Sequence, residues 1–317
     1  MHQSIQKEFA QAGLRVGVIA ASHLQELQSE LDTLRQDGFL GTGVQRSIDR
    51  FKLNEALVRT EQTVLILATP AAIGQAVFHL NGTRLTTLIP PTYIEMGSVP
   101  AMMEKRMNQI LQKYNYHAKH ERCLPAKMLA AYGGLAEYGR NNVCYVEGLG
   151  SFALLTTYLT DMPCTQDDWQ KPRRMDSCIS CTACTGNCPT GAIQKGRSVI
   201  DGERCLTMHN EAPSSVPFPS WISPSAHHCL VGCMRCQTAC PINRDALSFL
   251  APPVAFDERE TALLINGEAA DTLPASTRNK MAQINMDLYY DALARNLQAL
   301  SMASACTCPD PFRGVAE

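Results

Sequence analysis

The stretch Cys178-Ile-Ser-Cys181-Thr-Ala-Cys184-Thr-Gly-Asn-Cys188-Pro189 holds four cysteines in the spacing C-x2-C-x2-C-x3-C-P. This spacing is typical of chains that bind [4Fe–4S] clusters through cysteine thiolates. Two-residue spacers let three successive thiolates reach one cubane, whereas the fourth cysteine lies too far around to join them. Pro189 ends any helix that would continue and turns the chain away. The stretch therefore predicts two clusters that exchange a ligand.

A second group of cysteines follows later in the chain and reads Cys233-Met-Arg-Cys236-Gln-Thr-Ala-Cys240-Pro241. Like the first group, it ends in Cys-Pro. If the two groups exchange their last cysteines, we expect cluster one to be bound by Cys178, Cys181, Cys184 and Cys240. We expect cluster two to take one further cysteine in addition to Cys188, Cys233 and Cys236.

The remaining ligand of cluster two has two candidates, Cys205 and Cys229. Three residues separate Cys229 from Cys233, whereas a regular motif uses two-residue intervals, so the spacing favours Cys205. The alternatives for the whole stretch are a zinc site and a disulfide scaffold. Zinc sites favour isolated pairs of ligands, and disulfides suit secreted chains. The spacing and both Cys-Pro endings favour iron–sulfur clusters.

Composition limits the class of protein. The chain has 317 residues, of which 45% are hydrophobic and 18% charged, so about two folded domains are expected. A formal charge of −2 gives no electrostatic support for nucleic-acid binding. The first residues lack the apolar region of a signal peptide, and no apolar run approaches the length that spans a bilayer. We therefore expect a cytoplasmic protein without a membrane segment.

Apolar runs and helical patterns alternate before the cysteines. Buried strands are expected at 15–21 and 63–69, and Asn81-Gly82 predicts a hairpin of 75–80 with 83–88. Helices are expected at 3–12, 22–36, 45–60, 99–114 and 126–138, and further strands at 143–147 and 151–160. This order favours an α/β or α+β domain with one mixed sheet.

The rest of the chain reads as connections and a tail. Residues 165–176 form a polar linker, and the proline-rich residues 212–225 form an extended loop over a cluster. Residues 275–301 are expected to form a docking helix whose apolar stripe consists of Leu288, Leu293, Leu297 and Leu300. Cys306 and Cys308 are interpreted as part of a mobile, reduced tail.

Two runs before the cysteines carry a family resemblance, which covers roughly residues 60–245. They are Gly133-Gly-Leu-Ala-Glu-Tyr-Gly139-Arg-Asn-Asn142 and Gly150-Ser-Phe-Ala-Leu-Leu-Thr-Thr-Tyr-Leu-Thr-Asp-Met-Pro163. Together with the cysteine groups they resemble the cobalamin-dependent reductases, namely epoxyqueuosine reductase and the catalytic part of reductive dehalogenases. In that family the cysteine at the Arg204-Cys205 position completes the second cluster, which agrees with the choice of Cys205.

The resemblance implies an α+β fold in three parts. A nitroreductase-like, cobalamin-binding α/β sandwich is expected over residues 1–164. A bacterial ferredoxin-like domain with two [4Fe–4S] clusters would follow over residues 165–252. Residues 253–317 would then form a C-terminal helical tail that docks on the body.

The resemblance also implies a base-off corrinoid close to one cluster. The sequence contains no Asp-x-His-x-x-Gly segment, the usual motif for a histidine ligand to cobalt, and is compatible with base-off binding. The residues that match the family's cobalamin-facing turns are Arg140, Asn141, Asn142 and Ser151. Their amide and guanidinium groups are suited to binding propionamide or phosphate groups.

The chain departs from the family at the proton donor. Epoxyqueuosine reductases have an Asp-Ser pair whose position falls at or near His120-Glu121, where aspartate is absent. We therefore expect His120 or Glu121 to donate the proton. The chain also lacks the family's helical-repeat extension that holds tRNA, so tRNA is not expected as a partner.

The preferred hypothesis is a corrinoid-dependent oxidoreductase that acts on a small substrate. A ferredoxin or flavodoxin would supply low-potential electrons, which pass through both clusters to cobalamin. One alternative is a non-catalytic corrinoid-binding electron carrier or reactivator of a corrinoid protein. Another is a flavin-containing iron–sulfur reductase. The sequence assigns no role to Cys229.

Overall fold

The computed structural model describes residues 2–36, 41, 45, 48–57, 61–95, 97–194, 196 and 199–305. The α-helices of these residues, numbered in chain order, are α1 His2–Gln11, α2 Leu24–Gln36, α3 Leu53–Leu57, α4 Pro91–Glu95, α5 Val99–Leu111, α6 Ala126–Tyr132, α7 Ala183–Gly186, α8 Leu206–Asn210, α9 Arg235–Thr238, α10 Glu258–Ile265, α11 Ala275–Gln283 and α12 Tyr290–Ala305. The strands are β1 Arg15–Ala20, β2 Thr63–Pro70, β3 Gly74–Leu80, β4 Thr83–Ile89, β5 Ala118–His120, β6 Glu137–Tyr138, β7 Cys144–Tyr145, β8 Ala153–Thr160 and β9 Val254–Phe256.

Residue contacts divide the chain into two units. The first contains residues 1–70, 97–181 and 201–203, and the second contains residues 71–96, 182–200 and 204–317. The three sequence segments 1–164, 165–252 and 253–317 stay a prediction of domain organisation. The α+β class is confirmed, because helices and strands mix in both units. The finer nitroreductase-like and ferredoxin-like architecture remains a prediction.

The first unit is built on a four-stranded antiparallel sheet in the order β1-β2-β8-β5. Strand β2 is apolar on both faces, which explains why its sequence shows a continuous apolar run. Ile66 packs into a core with α2 and α6, and its neighbour Leu65, on the opposite face, is also fully buried. Helix α1 packs against β1 and α5.

Helix α6 is shorter than predicted. It ends at Tyr132 because Gly134 adopts a left-handed backbone, with φ of +66°, which a continuing helix cannot accommodate. The predicted helical residues Glu137 and Tyr138 form β6 instead, which pairs with β7. The expectation of a helix over 126–138 is therefore wrong in its second half.

The second unit contains a three-stranded sheet in the order β4-β3-β9. The hairpin of β3 and β4 forms as predicted, with positive φ at both Asn81 (50°) and Gly82 (72°). Strand β9 pairs parallel with β3, and the rings of Phe78 and Phe256 stack across the pair. Sequence analysis missed β9 because three residues carry no periodicity. The expected single mixed sheet is wrong, because the described strands form three separate sheets.

Helices α10, α11 and α12 pack on this second sheet and share its core. Leu293, Leu297 and Leu300 of α12 are buried as expected, but Leu288 is 63% exposed. The predicted stripe fails there because a 3-10 turn at Met286–Tyr289 separates Leu288 from the helix. Within the described residues, none of the helices combines the length and apolar character that crossing a bilayer requires.

Candidate iron–sulfur site

The cysteines in the described part of the chain are not linked to one another by disulfides. Twelve cysteines lie in this described part. Cys306 and Cys308 lie outside the described residues. The thiols are therefore available as metal ligands, which requires the deprotonated form.

Three of the predicted ligands of cluster two come together in the second unit. Burial is the largest cause that raises the pKa of Cys205 and of Cys233. The charge of Cys188 raises the pKa of Cys205 further, and the charges of Cys205 and Cys188 raise that of Cys233 further, so the three sulfurs lie near one another. Among the described residues, no three His, Cys, Asp or Glu side chains are grouped tightly enough to bind a single metal ion. A four-iron cluster instead holds its thiolates on separate iron atoms, which spreads them further apart.

A shared hydrogen-bond pattern surrounds these three sulfurs. Each sulfur accepts a hydrogen bond from the backbone N–H of the residue two positions after it in the chain. The donors are Thr190 for Cys188, Thr207 for Cys205 and Arg235 for Cys233. N–H groups that donate to the sulfurs stabilise thiolates and tune cluster potentials. Each of these three N–H donors lowers the pKa of the sulfur that accepts its hydrogen bond.

The three thiols differ in their net shift. Burial raises the pKa of Cys188, but hydrogen bonds from the backbone and hydroxyl of Thr190, and from the backbone of Ile193 and Ala192, lower it below the ordinary thiol value. Burial outweighs the donors elsewhere: it raises the pKa of Cys205, and it raises that of Cys233 to about 12. The free thiols of Cys205 and Cys233 are therefore neutral near pH 7.

Cys205 and Cys229 have different surroundings. Cys205 is coupled to Cys188 and lies at the N-terminal cap of α8. Cys229 is buried, and burial raises its pKa far above the ordinary value. The charge of Cys233 raises the pKa of Cys229 further. His228 precedes Cys229, and its Nε2 accepts a hydrogen bond of 3.1 Å from the Met234 N–H. Cys205 as the fourth ligand of cluster two therefore stays a prediction, and His228 contributes to the shape of the loop before Cys233.

The other predicted ligands lie on short elements. Cys184 lies on α7 and Cys236 on α9, and these two helices pack against one another. Cys240 caps a 3-10 turn that begins at Pro241. Cys178 and Cys181 lie at the end of the first unit. Their assignment to cluster one rests on the spacing.

Arg140 does not have the surroundings that were predicted for a corrinoid contact. Its guanidinium donates to three backbone carbonyls of the cysteine loop: Nε to Cys181 at 2.9 Å, and Nη2 to Ile179 at 3.1 Å and to Cys178. The side chain is thus engaged with the protein itself.

The neighbouring residues are also engaged. Asn141 is buried, its Nδ2 donates to the Tyr145 hydroxyl at 3.0 Å, and its Oδ1 accepts the Val143 N–H at 3.2 Å. Asn142 has a left-handed backbone, with φ of 59°, and its carbonyl accepts a hydrogen bond from Lys127. Ser151 is buried. The side chains of Arg140 and Asn141 therefore do not fit the role of corrinoid contacts.

His120 and Glu121 lie at the end of β5, beside β8. The His120 N–H donates to Glu104 at 2.7 Å, and its half-buried ring lies 5.4 Å from the Tyr158 ring. Burial is the largest effect on His120 and lowers its pKa. Glu121 Oε1 accepts the Cys123 N–H at 3.2 Å, and its backbone pairs with Thr157 on β8.

Several residues that shape the site were not predicted from the sequence. Cys-x-Thr occurs at both Cys188 and Cys205, and this repeat could have pointed to the threonine donors. Arg204 donates from Nε to the Thr190 carbonyl at 2.8 Å and lies over the Trp221 ring. No local signal in the sequence marks the contact between Arg204 and Thr190.

Residues 165–176, predicted as a polar linker, make specific contacts with the first unit. Asp168 exchanges hydrogen bonds with Val18 of β1, and Trp169 stacks on both His23 and Tyr132, with ring centroids 4.3 and 4.2 Å away. The expectation of a polar linker missed these contacts because single aromatic residues do not produce a periodic pattern. This segment is fixed to the first unit up to the start of the cysteine loop.

Comparison with known proteins supports the cluster region first. The 4Fe-4S double cluster binding domain family matches residues 177–243. Epoxyqueuosine reductase from Gloeobacter violaceus is 32% identical over 117 residues, which are 37% of this chain and 35% of that protein. The Burkholderia pseudomallei enzyme of the same name is 34% identical over 137 residues, or 41% and 32% of the two chains. The alignments thus span about a third of these relatives' length.

Similarity of fold extends further. The structure of epoxyqueuosine reductase from Streptococcus thermophilus matches with a TM-score of 0.64 at 17% identity, covering 96% of this chain and 81% of that one. An epoxyqueuosine reductase solved with an epoxyqueuosine-modified tRNA stem loop matches with a TM-score of 0.67 at 16% identity, covering 94% and 80%. Because that relative binds tRNA, the expectation that tRNA is no partner is not confirmed. The chain is thus similar to a 4Fe-4S double cluster binding domain over residues 177–243 and similar in fold to epoxyqueuosine reductases.

Proposed function

We propose that this protein is an oxidoreductase like epoxyqueuosine reductase, which carries low-potential electrons through two [4Fe–4S] clusters to a reduction site. The observation that carries the proposal is the convergence of Cys188, Cys205 and Cys233, each with an N–H donor two residues ahead. Cys236 completes the set for cluster two. Cluster one would be bound by Cys178, Cys181, Cys184 and Cys240. When bound, the clusters supply one-electron transfer.

The thiol environment supports this role. The amide donors favour the charged thiolate, whereas burial of Cys205 and Cys233 disfavours it. Cluster binding resolves this conflict, because coordinated iron replaces the proton on each sulfur. Partial burial also limits the exposure of the ligand sulfurs to water, which is one of the factors that set a cluster's potential.

The resemblance further implies cobalamin as the electron acceptor. The contacts of Arg140 and Asn141 do not support it, because both side chains bind the protein's own backbone and side chains. Base-off cobalamin is therefore a proposal that needs direct measurement of cobalt. Neither the non-catalytic carrier nor the flavoprotein alternative is favoured by the comparisons.

A small organic substrate is proposed, with His120 or Glu121 as proton donor. Because burial lowers the pKa of His120, its imidazole is mostly neutral at pH 7. If His120 is the donor, activity rises as pH falls below the ordinary histidine value of about 6.5. The other proposed properties are a cytoplasmic location and a ferredoxin or flavodoxin as electron source. An epoxyqueuosine-modified tRNA stem loop belongs in the substrate screen because a relative binds one.

The test is anaerobic purification with cobalamin supplied, followed by iron and cobalt analysis and EPR spectroscopy of the reduced protein. We expect about eight iron atoms per chain, as two [4Fe–4S] clusters require. About one cobalt with a base-off Co(II) signal would support the corrinoid. Eight iron atoms without cobalt would remove cobalamin from the proposal and leave the iron–sulfur reductase. A protein without iron, even after reconstitution, would refute the proposed function.

A further inference from the structure

Arg140 contacts the cysteine loop in a way that suits an organising role. Its guanidinium reaches the carbonyl oxygens of Cys178, Ile179 and Cys181, so all three acceptors converge on one side chain. Cys178 ends a 3-10 turn, and Cys181 lies in the irregular segment before α7. Arg140 therefore donates to carbonyls in a stretch that has no α-helix or sheet to supply N–H donors.

The chemistry of arginine fits this task better than that of any other side chain. A guanidinium is planar, permanently charged and carries five N–H donors in a fixed fork. Hydrogen bonds from a charged donor are stronger than those between neutral groups. A lysine ammonium is a point charge without the fork, so it does not replace the geometry of several convergent bonds. Hydrogen bonds from one rigid guanidinium to three carbonyls therefore restrict the backbone that carries them to a single conformation.

The base of Arg140 is itself held in place. The Gly139 N–H donates to Val143 at 2.8 Å, the Asn142 N–H donates to Gly139 at 3.0 Å, and Asn141 Oδ1 accepts the Val143 N–H. A Cβ at position 139 would come within 2.6 Å of Asn141 Oδ1, so glycine is required there. The turn over 139–143 is thus a closed unit that fixes the direction of the Arg140 side chain.

Strand β6, which precedes this turn, fixes the chain that leads into the loop. The Tyr138 N–H donates to the Arg173 carbonyl at 2.8 Å, and the Met175 N–H donates to the Tyr138 carbonyl at 3.0 Å. These bonds add residues 173–175 to the edge of β6, three residues before Cys178. Residues 138–140 therefore hold both the approach to the loop and the loop itself.

We propose that Arg140 is a positioning residue that sets the backbone of residues 178–181 and thereby places two thiolate ligands, Cys178 and Cys181, for cluster one. This rests on the proposed function, since it assumes that the two cysteines bind a cluster. It replaces the predicted contact between Arg140 and a corrinoid. Cluster two takes no ligand from this loop, so the effect of losing Arg140 is confined to cluster one.

The experiment compares anaerobically purified wild type with Arg140→Met, which keeps the length of the side chain and removes its donors, and with Arg140→Lys, which keeps the charge. Arg84→Met is the matched control, because Arg84 is an exposed arginine on the hairpin strand β4. Iron content, EPR of the dithionite-reduced protein and the rate of iron release to a chelator are measured.

Cluster two serves as an internal control for folding. For Arg140→Met we expect iron to fall from about eight to about four atoms per chain, and the spin coupling between two reduced clusters to disappear. Any cluster one that remains in Arg140→Lys should lose iron at least about tenfold faster than in wild type, the factor expected for one hydrogen bond to a charged group. Arg84→Met should behave as wild type.

Several outcomes decide the matter. Eight iron atoms and the wild-type release rate in Arg140→Met would overturn the role of Arg140 while leaving the two-cluster function intact. If Arg140→Met does not fold, Arg140→Lys decides: selective loss of one cluster supports the proposal, and full retention at the wild-type rate overturns it. A wild-type protein that holds no cluster would overturn the proposed function and this inference together.

Discussion

Replacing Asn296 with alanine should destabilise the second unit and loosen the loops that carry the ligands of cluster two. Asn296 is buried on α12, and its Nδ2 donates to the carbonyls of Asn210 at 2.8 Å and Leu230 at 2.9 Å. Asn210 closes α8, the helix that follows Cys205, and Leu230 precedes Cys233 in the second cysteine group. One amide thus joins both segments to the C-terminal helix.

The magnitude follows from the number of acceptors left without a donor. A buried polar group that loses its partner costs about 1–3 kcal/mol, so the two carbonyls together cost about 2–6 kcal/mol. Both segments are buried at these points, since Asn210 and Leu230 are each 0% exposed, which leaves little chance of rescue by water. Domains are stable by about 5–15 kcal/mol, so the loss is a large share of the free energy of unfolding.

The assay is urea unfolding of the anaerobic protein followed by circular dichroism, together with iron release at urea concentrations below the transition. The matched control is Gln298→Ala on the same helix, because Gln298 is exposed and makes a single bond to the Ile265 carbonyl. The control should change the free energy of unfolding by no more than about 0.5 kcal/mol. Equal midpoints and equal iron release for the two variants would refute the reasoning.

Three further predictions concern other parts of the chain. Burial and then the charge of Arg295 lower the pKa of His227 to about 4. The stability contributed by the neutral, buried imidazole is therefore complete above pH 6.5, and about 1.4 kcal/mol of it is lost per pH unit as pH falls from 6.5 toward 4. The midpoint of thermal unfolding of His227→Phe should depend less on pH in this range, and an equal pH dependence of the midpoint in variant and wild type would contradict the burial argument. Cys205→Ala should lower iron by about four atoms per chain, whereas Cys229→Ala should keep about eight, as iron analysis will show; the opposite pattern would make Cys229 the ligand. Trp169→Ala removes a ring stacked on both sides and should cost about 2–4 kcal/mol in urea unfolding, and an unchanged midpoint would show that residues 165–176 are not held by the stack.

Strands and turns with strong local signals were predictable from the sequence. The apolar runs that became β1 and β2, and the Asn81-Gly82 hairpin, depend on short-range preferences that the residues themselves carry. The helix expected over 126–138 failed because Gly134 stops it, although its apolar pattern continues past that glycine. The single mixed sheet failed because pairing between distant strands, such as β3 with β9, leaves no mark in local periodicity.

The candidate site was also predictable only where the signal is local in the sequence. Cysteine spacing identified the cluster region, which the family match over residues 177–243 bears out, because ligand spacing is dictated by the shape of the cluster. The resemblance located the turn at Arg140 but did not give its partners. A motif fixes where a turn lies in the fold, whereas the bonds of its side chains depend on which backbone lies opposite.

The donors that satisfy the cysteine loops illustrate why. A short, irregular loop does not pair all of its own N–H groups with its own carbonyls, and the remaining carbonyls need donors from elsewhere. In this protein they come from side chains far away in sequence: Arg140 binds the carbonyls of residues 178, 179 and 181, and Asn296 binds those of residues 210 and 230. Neither residue belongs to a cysteine motif. The cysteine loops therefore depend on a turn and a helix outside the motifs, and substitutions at these remote donors should impair cluster binding although every cysteine is intact.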